Sequence, residues 1–597
     1  MPLYRAPVDD YRFLLHELFS IANQPDLPGH SELSVELVDD VLNGAATFCE
    51  DVLQPLNLPG DAEGCHFEDD HVRTPKGFKD AYKAFCVGGW PGLPLPAAYG
   101  GAGLPVSVAI AAAEMASSAN PAFALYAGLT CAGASALIAH GLPWMKEHIA
   151  PKLVTGEWAG TMCLTEPGCG TDLRLMKTRA VEQSDGSYRM TGTKIFISGG
   201  DQDLTDNIMH LVIAKIPDAD GHLADDLSAI NFFLVPKLLI SEDGTVGPRN
   251  RVSVGGIEKK MGIKAQATCV LNFDEAVAWR LGPKPAKGQG HSSAGMTGMF
   301  EMMNAARMTV GVQGIAAGEV AYQNAHAYVQ ERRAGRAPNG PIEPDKPADR
   351  LIVHPDIKRM LLHCRAGVEG ARALAVWTTL QLAVAQSGRP EADNAAMIAD
   401  LLTPVIKAYF TDLGFEAANL ALQCYGGHGY IHDNGVEQFV RDARVNMLYE
   451  GANGVQAVDL VFRKLLRKSG ANPLLQKIQS WLAEHDNKAM QTFTKPLERG
   501  LESLQQATQW LTQQTNRNDA AAAACDYLRL MGIVSVGWMW GQMAELAQSR
   551  LNATPANAEF YKAKLTAARY WMERVIPECP MLLERIRAGS STIMDVT

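Results

Sequence analysis

No C-x-x-C pair occurs among the 11 cysteines of this 597-residue chain, and the closest two, Cys163 and Cys169, do not match a zinc framework. A secreted disulfide scaffold does not fit either, so reduced thiols in a cytoplasmic protein are the expectation. The sequence holds no G-x-G-x-x-G and no G-x-x-x-x-G-K-(S/T), so a dinucleotide-fold NAD enzyme and a P-loop nucleotidase both lack their signatures. Basic residues are not in excess: 54 Lys and Arg stand against 65 Asp and Glu, a formal charge of −11, which makes nucleic acid a poor partner. Long apolar runs are missing too. The longest, Gly128 to Ala139 and Leu530 to Gly541, are 12 residues each, short of the ~20 that span a bilayer, and read as buried helices. The start, MPLYRAPVDDYRF, lacks the basic, apolar and small-residue regions of a signal peptide, so no cleavage is expected.

What is present is ample apolar material, 47% of residues, enough for roughly three to four domain-sized cores. Residues 1–155 alternate apolar and polar groups at helical spacing, as in ELVDDVLNGAATFCEDVLQPL, and predict an all-helical domain. Over 156–282 the pattern changes to short runs rich in β-branched and aromatic residues, SYRMTGTKIFIS, NIMHLVIAKI, AINFFLVPK and TCVLNFDEAVA, separated by turn signals. A linker by composition starts at Leu281, and helical periodicity then runs over 283–468, broken by a Pro-rich segment, 335–350, expected to be an exposed loop. A further helical extension is expected over 469–597. No fixed-period repeat is present.

Three segments carry candidate chemistry. In Cys163-Leu-Thr-Glu-Pro-Gly-Cys-Gly-Thr-Asp172, glycines and small hydroxyl or acidic residues make a tight turn that offers backbone N–H groups to a polar ligand, or simply an ordinary loop leaving a strand. Lys194-Ile-Phe-Ile-Ser-Gly-Gly200 is a strand on which a flat ring could lie against Phe196 while Ser198 bonds its edge; most such strands are only half-buried surface. The third runs from Gln423-Cys-Tyr-Gly-Gly-His-Gly-Tyr430 to Leu448-Tyr-Glu-Gly-Ala-Asn-Gly-Val-Gln456. Glycine there costs roughly 0.5–1 kcal/mol per helix-interior site, which makes sense where something approaches the backbone. Within it Glu450 is either a cap at a helix start or a catalytic base.

Taken together and in this order, the segments resemble the acyl-CoA dehydrogenase family. TEPGCGTD resembles its flavin loop, KIFISGG its K-x-W-I-(T/S)-N-G strand, and QCYGGHGY with LYEGANGVQ its glycine turn and base segment; LPAAYGGAGLP at Leu95, MGIKAQAT at Met261 and Asn304-Ala-Ala-Arg307 add to the match. The likeness covers about residues 80–465, and the longer ends resemble the roughly 600-residue bacterial branch, which includes long-chain acyl-CoA and 3-(methylthio)propanoyl-CoA dehydrogenases. Phe196 stands for the usual Trp, Ser198 and Thr171 exchange Thr and Ser, and Ala452-Asn453-Gly454 departs from the common T-x-x.

The resemblance implies a mainly α protein with a central β domain: a helical N-domain, a β-barrel-like middle domain, a four-helix-bundle domain and here a C-terminal helical extension. It implies FAD as cofactor, an acyl-CoA substrate, electron-transferring flavoprotein as acceptor, and a homo-oligomer, most simply a dimer, in the cytoplasm. Glu450 becomes the base that takes the α proton. Cys163, Thr165, Gly170, Thr171, Phe196, Ser198, Arg332, Gln423, Gly426, Gly427 and Asn453 become FAD contacts, with Arg332 and the Gln423 turn reaching a neighbour's cofactor. Thr171, Asn304, Arg307, Tyr449 and Gly451 become substrate contacts, although a structural ion pair is a plain alternative for Arg307. No metal site is implied. Two other readings stay open: an oxidase that passes electrons to oxygen, and a catalytically inactive family member that binds nucleic acid or protein. The extension gives the latter no basic patch, holding 13 Lys and Arg against 12 Asp and Glu over 471–597.

Overall fold

The strand signals of the sequence gather in one of two compact units of the chain, residues 47–104 with 119–306. The structure, a computed structural model, describes residues 2–218, 220–282, 294–467 and 473–596. Most of the expected linker, 283–293, therefore lies outside the described residues.

Five strands of this unit close on one another. Thr268–Arg280 pairs antiparallel with Tyr188–Ser198 and, at Trp279 and Arg280, with Ile230–Pro236. Ile230–Pro236 pairs antiparallel with Ile208–Lys215. Arg179–Glu182 completes the ring, antiparallel to Tyr188–Ser198 and joined to Ile208–Lys215 at Arg179. Ala159–Cys163 and Val252–Ile257 extend the sheet outside the ring. Thr268–Arg280 pairs with three strands, Val252–Ile257 among them, and its register against Tyr188–Ser198 shifts twice, as bulges that bend a strand do.

Ile208–Lys215 and Ile230–Pro236 are buried at every position, because both of their faces are covered. Val212, Ala214, Phe233 and Val235 face the interior of the ring with Tyr188, Leu271 and Phe273. Met209, Leu211, Ile213, Phe232 and Leu234 face outward onto Ala134, Leu137 and Trp158. Two expectations need correction in this unit. The helix Pro121–His140 has 20 residues and is long and apolar enough to cross a membrane by length and composition. The 12-residue run from Gly128 to Ala139 continues upstream through Pro121–Ala127 without a charged residue, and within the helix Thr130 returns its hydroxyl to the Tyr126 carbonyl at 2.9 Å. Against the sheet, the Thr130 hydroxyl also accepts the Gly160 N–H, at 3.2 Å. The first 155 residues are not all helical either: His66–Glu68 and His71–Arg73 form a hairpin. Asp69 and Asp70 both take positive φ, 51° and 63°, a turn conformation that Asn-Gly would have announced and Asp-Asp did not.

The second unit comprises residues 1–46, 105–118 and 307–597. Its long helices include Pro355–Gln386, Ala392–Tyr425, Gln491–Gln513 and Ala524–Asn552, together with most of Ala294–Glu331. Ala294–Glu331 and Ala392–Tyr425 meet backbone to backbone. A Cβ on Gly414 would lie 1.9 Å from the Gly314 carbonyl oxygen, so no side chain fits there. The C-terminal helices belong to the same unit: Trp540 donates its indole N–H to the Ala366 carbonyl at 2.9 Å, across a notch left by Gly370. Segment 335–350 is irregular and largely exposed, and it is tied down by Asp349, whose carboxylate accepts the N–H groups of Glu343, Ala337 and Ile342 at 2.8, 2.9 and 3.1 Å.

Candidate functional site

In the strand unit, the loop 164–172 is fastened to the strand that carries Phe196. The Thr165 carbonyl accepts the Ile195 N–H at 2.9 Å, and the buried Lys194 ammonium donates to the Leu164 carbonyl at 2.9 Å and to Glu166 Oε1 at 2.8 Å. Glu166 also accepts the N–H groups of Lys177 and Thr178, at 2.7 and 3.1 Å. Burial alone would raise the Glu166 carboxyl, but Lys194 outweighs it and holds the group below its ordinary range. Burial pushes Lys194 down, and Glu166 opposes that shift. Sequence reading quoted both residues inside motifs without pairing them.

Phe196 sits where the register with Thr268–Arg280 shifts, in the left-handed conformation at φ 60°, and the residue is 59% exposed. The bulge turns an aromatic face outward that an ordinary strand would fold under. Thr165 and Ser198 are half-buried nearby in the chain's pairing, Gly170 and Thr171 are exposed, and the Cys163 thiol is buried in the ring core, its pKa pushed up to about 12 by that burial. A Cβ on Gly168 or Gly170 would meet nothing within 4 Å, and neither has a φ that demands glycine. The chain itself gives no reason for glycine there; a ligand lying against the backbone would.

In the helical unit, Glu450 and Gly451 are consecutive left-handed residues, φ 54° and 91°. Such a conformation costs a non-glycine residue about 1–3 kcal/mol unless its surroundings fix it. Here they do. Gln456 Nε2 donates to the Glu450 and Gly451 carbonyls at 3.2 and 3.4 Å, and Lys407 Nζ to the Gly451 carbonyl at 2.6 Å. A Cβ on Gly451 would lie 2.3 Å from Gln456 Nε2. The following helix, Asn453–Asp459, has Ala452 as its N-cap and no side-chain cap, so Glu450 is not serving as one. Its carboxyl, half-buried, is pushed up to about 7 by burial, against the opposing charges of Arg307 and Lys407.

Of the other expected residues, Arg307 and Gly451 lie beside Glu450, while Tyr449 turns its hydroxyl to Gln313 and, at 2.9 Å, to Asn446. Arg307 also faces Asp459, 3.9 Å away, both side chains 8% exposed. Asn304 is three positions before Arg307 on the same helix. The Asn453 side chain is engaged by Lys407 at 2.9 Å, Thr411 at 3.0 Å and Asp412 at 2.7 Å. Arg332 and the Gln423 turn share a separate exposed neighbourhood. Tyr328, four residues before Arg332, stacks on Tyr425 with centroids 4.0 Å apart and bonds His428 at 2.8 Å. Gly426 has φ 58° and Gly429 is pressed on the Leu422 carbonyl, whereas Gly427 faces open space. Lys407, Gln456 and Gln313 were missed; the one available signal was a lysine inside the apolar helical run TPVIKAYF.

Four family profiles match in succession: "Acyl-CoA dehydrogenase, N-terminal domain" over 39–157, "middle domain" over 161–276, "C-terminal domain" over 293–465, and "Acetyl-CoA dehydrogenase C-terminal like" over 474–597. A 3-methylmercaptopropionyl-CoA dehydrogenase of Ruegeria pomeroyi is 37% identical over 99% of both chains. The chain belongs to the acyl-CoA dehydrogenase family. A broad-specificity linear acyl-CoA dehydrogenase of Mycobacterium tuberculosis is 32% identical, covering 100% of this chain and 99% of that one. Among solved structures, Caenorhabditis elegans ACDH-11 in complex with C11-CoA shares the fold, with a TM-score of 0.79 and 18% identity over 100% of this chain and 96% of that one. An acyl-CoA dehydrogenase from Bacillus anthracis complexed with FAD shares it too, with a TM-score of 0.72 and 20% identity over 94% and 90%. This acyl-CoA dehydrogenase is thus an FAD-dependent oxidoreductase acting on the CH–CH bond of an acyl-CoA. The reading as an inactive binding protein falls away. The outward Phe196 ring, the adjoining Ser198 and Thr165, and glycines 168 and 170 fit the isoalloxazine and phosphate chemistry of FAD.

Proposed function

We propose that this enzyme dehydrogenates a linear acyl-CoA to its trans-2-enoyl form with Glu450 as the base. The observation that carries the reading is a half-buried glutamate in a left-handed turn, its carboxyl pushed up to about 7 and flanked by Arg307 and Lys407. A base poised near neutrality can take an α proton at working pH. FAD, when bound, supplies the acceptor for the β hydride. The Glu450 N–H is the donor proposed for the thioester oxygen. Thr165, Gly170, Thr171, Phe196 and Ser198 are proposed to hold FAD, with Cys163 and Asn453 contributing through backbone, since their side chains are committed inside the protein. Arg332, Gln423, Gly426 and Gly427 are proposed to complete the cofactor site of a second copy, making a homodimer the minimal enzyme. Asn304, Arg307, Tyr449 and Gly451 are proposed to line the acyl-CoA site. Electron-transferring flavoprotein is the proposed acceptor, and the cytoplasm the proposed compartment. The divisions 1–155, 156–282, 283–468 and 469–597 are proposed as its modules, close to the ranges the family profiles match.

A second reading of the substrate, 3-(methylthio)propanoyl-CoA, is favoured by the 37% identity to the Ruegeria pomeroyi relative across the whole length. Bleaching of the flavin by a panel of acyl-CoAs that includes the methylthio compound tests both readings. Fastest bleaching by the methylthio compound selects the second; no bleaching by any acyl-CoA overturns both. Oxygen uptake with and without an artificial acceptor separates dehydrogenase from oxidase.

A further inference from the structure

The Glu450 turn rests on a buried lysine. Lys407, on the helix Ala392–Tyr425, is 0% exposed, and its ammonium ends 2.6 Å from the Gly451 carbonyl and 2.9 Å from Asn453 Oδ1. Both of these partners are neutral. An ammonium taken out of water needs opposite charge in range, and Glu450 and Asp412 are the carboxylates that support it, while Arg307 opposes it. Asp412 reaches the network through Asn453, at 2.7 Å. Arg307, the stronger of the two charges that favour an ionised Glu450, also faces Asp459 at 3.9 Å, and Arg463 faces the same carboxylate at 3.1 Å. Tyr449, adjacent in the chain, is neutral, and burial keeps it so. Lys407 thus combines two functions at one atom, a tether on the turn and a positive charge that acts on Glu450.

We infer that Lys407 is a positioning residue for the reaction: it fixes the left-handed Glu450–Gly451 turn through the Gly451 carbonyl and Asn453, and it brings a positive charge to that turn. The inference rests on Glu450 being the base. Loss of the charge makes Glu450 harder to ionise, so the acid limb of turnover moves to higher pH.

The test compares Lys407→Gln, which keeps a donor without the charge, with Lys407→Met, which keeps neither. Flavin reduction by acyl-CoA is followed by stopped flow across pH for the FAD-loaded parent and variants. Amide hydrogen exchange over residues 447–456 is measured alongside. In both variants the acid limb is expected to rise by about one pH unit. Exchange is expected to quicken in Lys407→Met and much less in Lys407→Gln, and reduction at the optimum to fall at least about tenfold in Lys407→Met. An unchanged acid limb at equal FAD content overturns the proposal. Failure of both variants to fold also overturns it, assigning Lys407 to the fold alone. Glu450→Gln, run in parallel, separates the two layers: near-parent reduction there removes the base reading, whereas its loss together with unaltered Lys407 variants removes only the role of Lys407.

Discussion

Lys564 and Glu369 meet at 2.8 Å inside the helical unit, 195 positions apart in the chain. The same ammonium bonds Asp10, and Arg372 bonds Asp10, Glu114 and Glu319, so residues from the helices Val8–Arg12, Val106–Ala119, Ala294–Glu331, Pro355–Gln386 and Ala558–Tyr570 form one buried ionic cluster. The two cations outweigh the penalty of burial and hold Asp10 below its ordinary range. Removing one member leaves carboxylates buried without their counter-charge. Lys564→Met is expected to destabilise the protein by about 3–5 kcal/mol, read from thermal or urea unfolding. Lys562→Met is the control, since the Lys562–Glu559 pair is exposed and worth about 0–1 kcal/mol.

Glu450→Gln keeps the size of the side chain and removes its ability to take a proton. The variant is expected to bind FAD and acyl-CoA, yet its flavin reduction should slow by about 10²–10⁴. Thermal melting is the folding control. Near-normal reduction in a well-folded variant would remove the catalytic assignment.

The pH dependence has a definite sign. Burial raises Glu450 from its ordinary 4.5 to about 7, so the base form, and with it flavin reduction, should increase as pH rises through about 7. Stability moves the other way. A carboxyl raised on folding contributes stability fully present below about 4.5 and lost as pH rises through about 7. Glu450→Gln should therefore flatten the melting temperature over that window, while a parent-like slope would place its origin elsewhere.

Lys194→Met tests the fastening of the 164–172 loop. Breaking a buried pair typically costs about 3–5 kcal/mol, and here the loss falls on the segment that carries Thr165 and Thr171. FAD content after dialysis should drop alongside melting temperature. Full FAD retention would show that the loop holds without its lysine.

Local pattern made the strand set legible: Tyr188–Ser198, Ile208–Lys215, Ile230–Pro236 and Thr268–Arg280 stand where β-branched runs alternate with turn residues. Position of Glu450 relative to the glycine turn was legible for the same reason, both being parts of one contiguous segment. Pairings across the chain were not. Lys564 and Asp10 are 554 positions apart, and no single sequence connects them. Lys407 was visible as a cation in an apolar helix, but its partner, a backbone carbonyl, has no residue identity to read. The outward turn of Phe196 depends on a register shift against Thr268–Arg280, a property of two strands together.

With Glu450 as the proposed base, its left-handed backbone sets folding and catalysis at odds at a single position. Glycine would adopt φ 54° without strain, whereas glutamate is held there by Gln456 and Lys407, which bond the Glu450 and Gly451 carbonyls. On that assignment, selection for activity keeps the glutamate in place. In a duplicated copy released from that selection, glycine at 450 would be retained as a change that relaxes the turn while ending turnover. The residue at this one position thus becomes a marker for sorting chains that share this turn geometry into working enzymes and idle descendants.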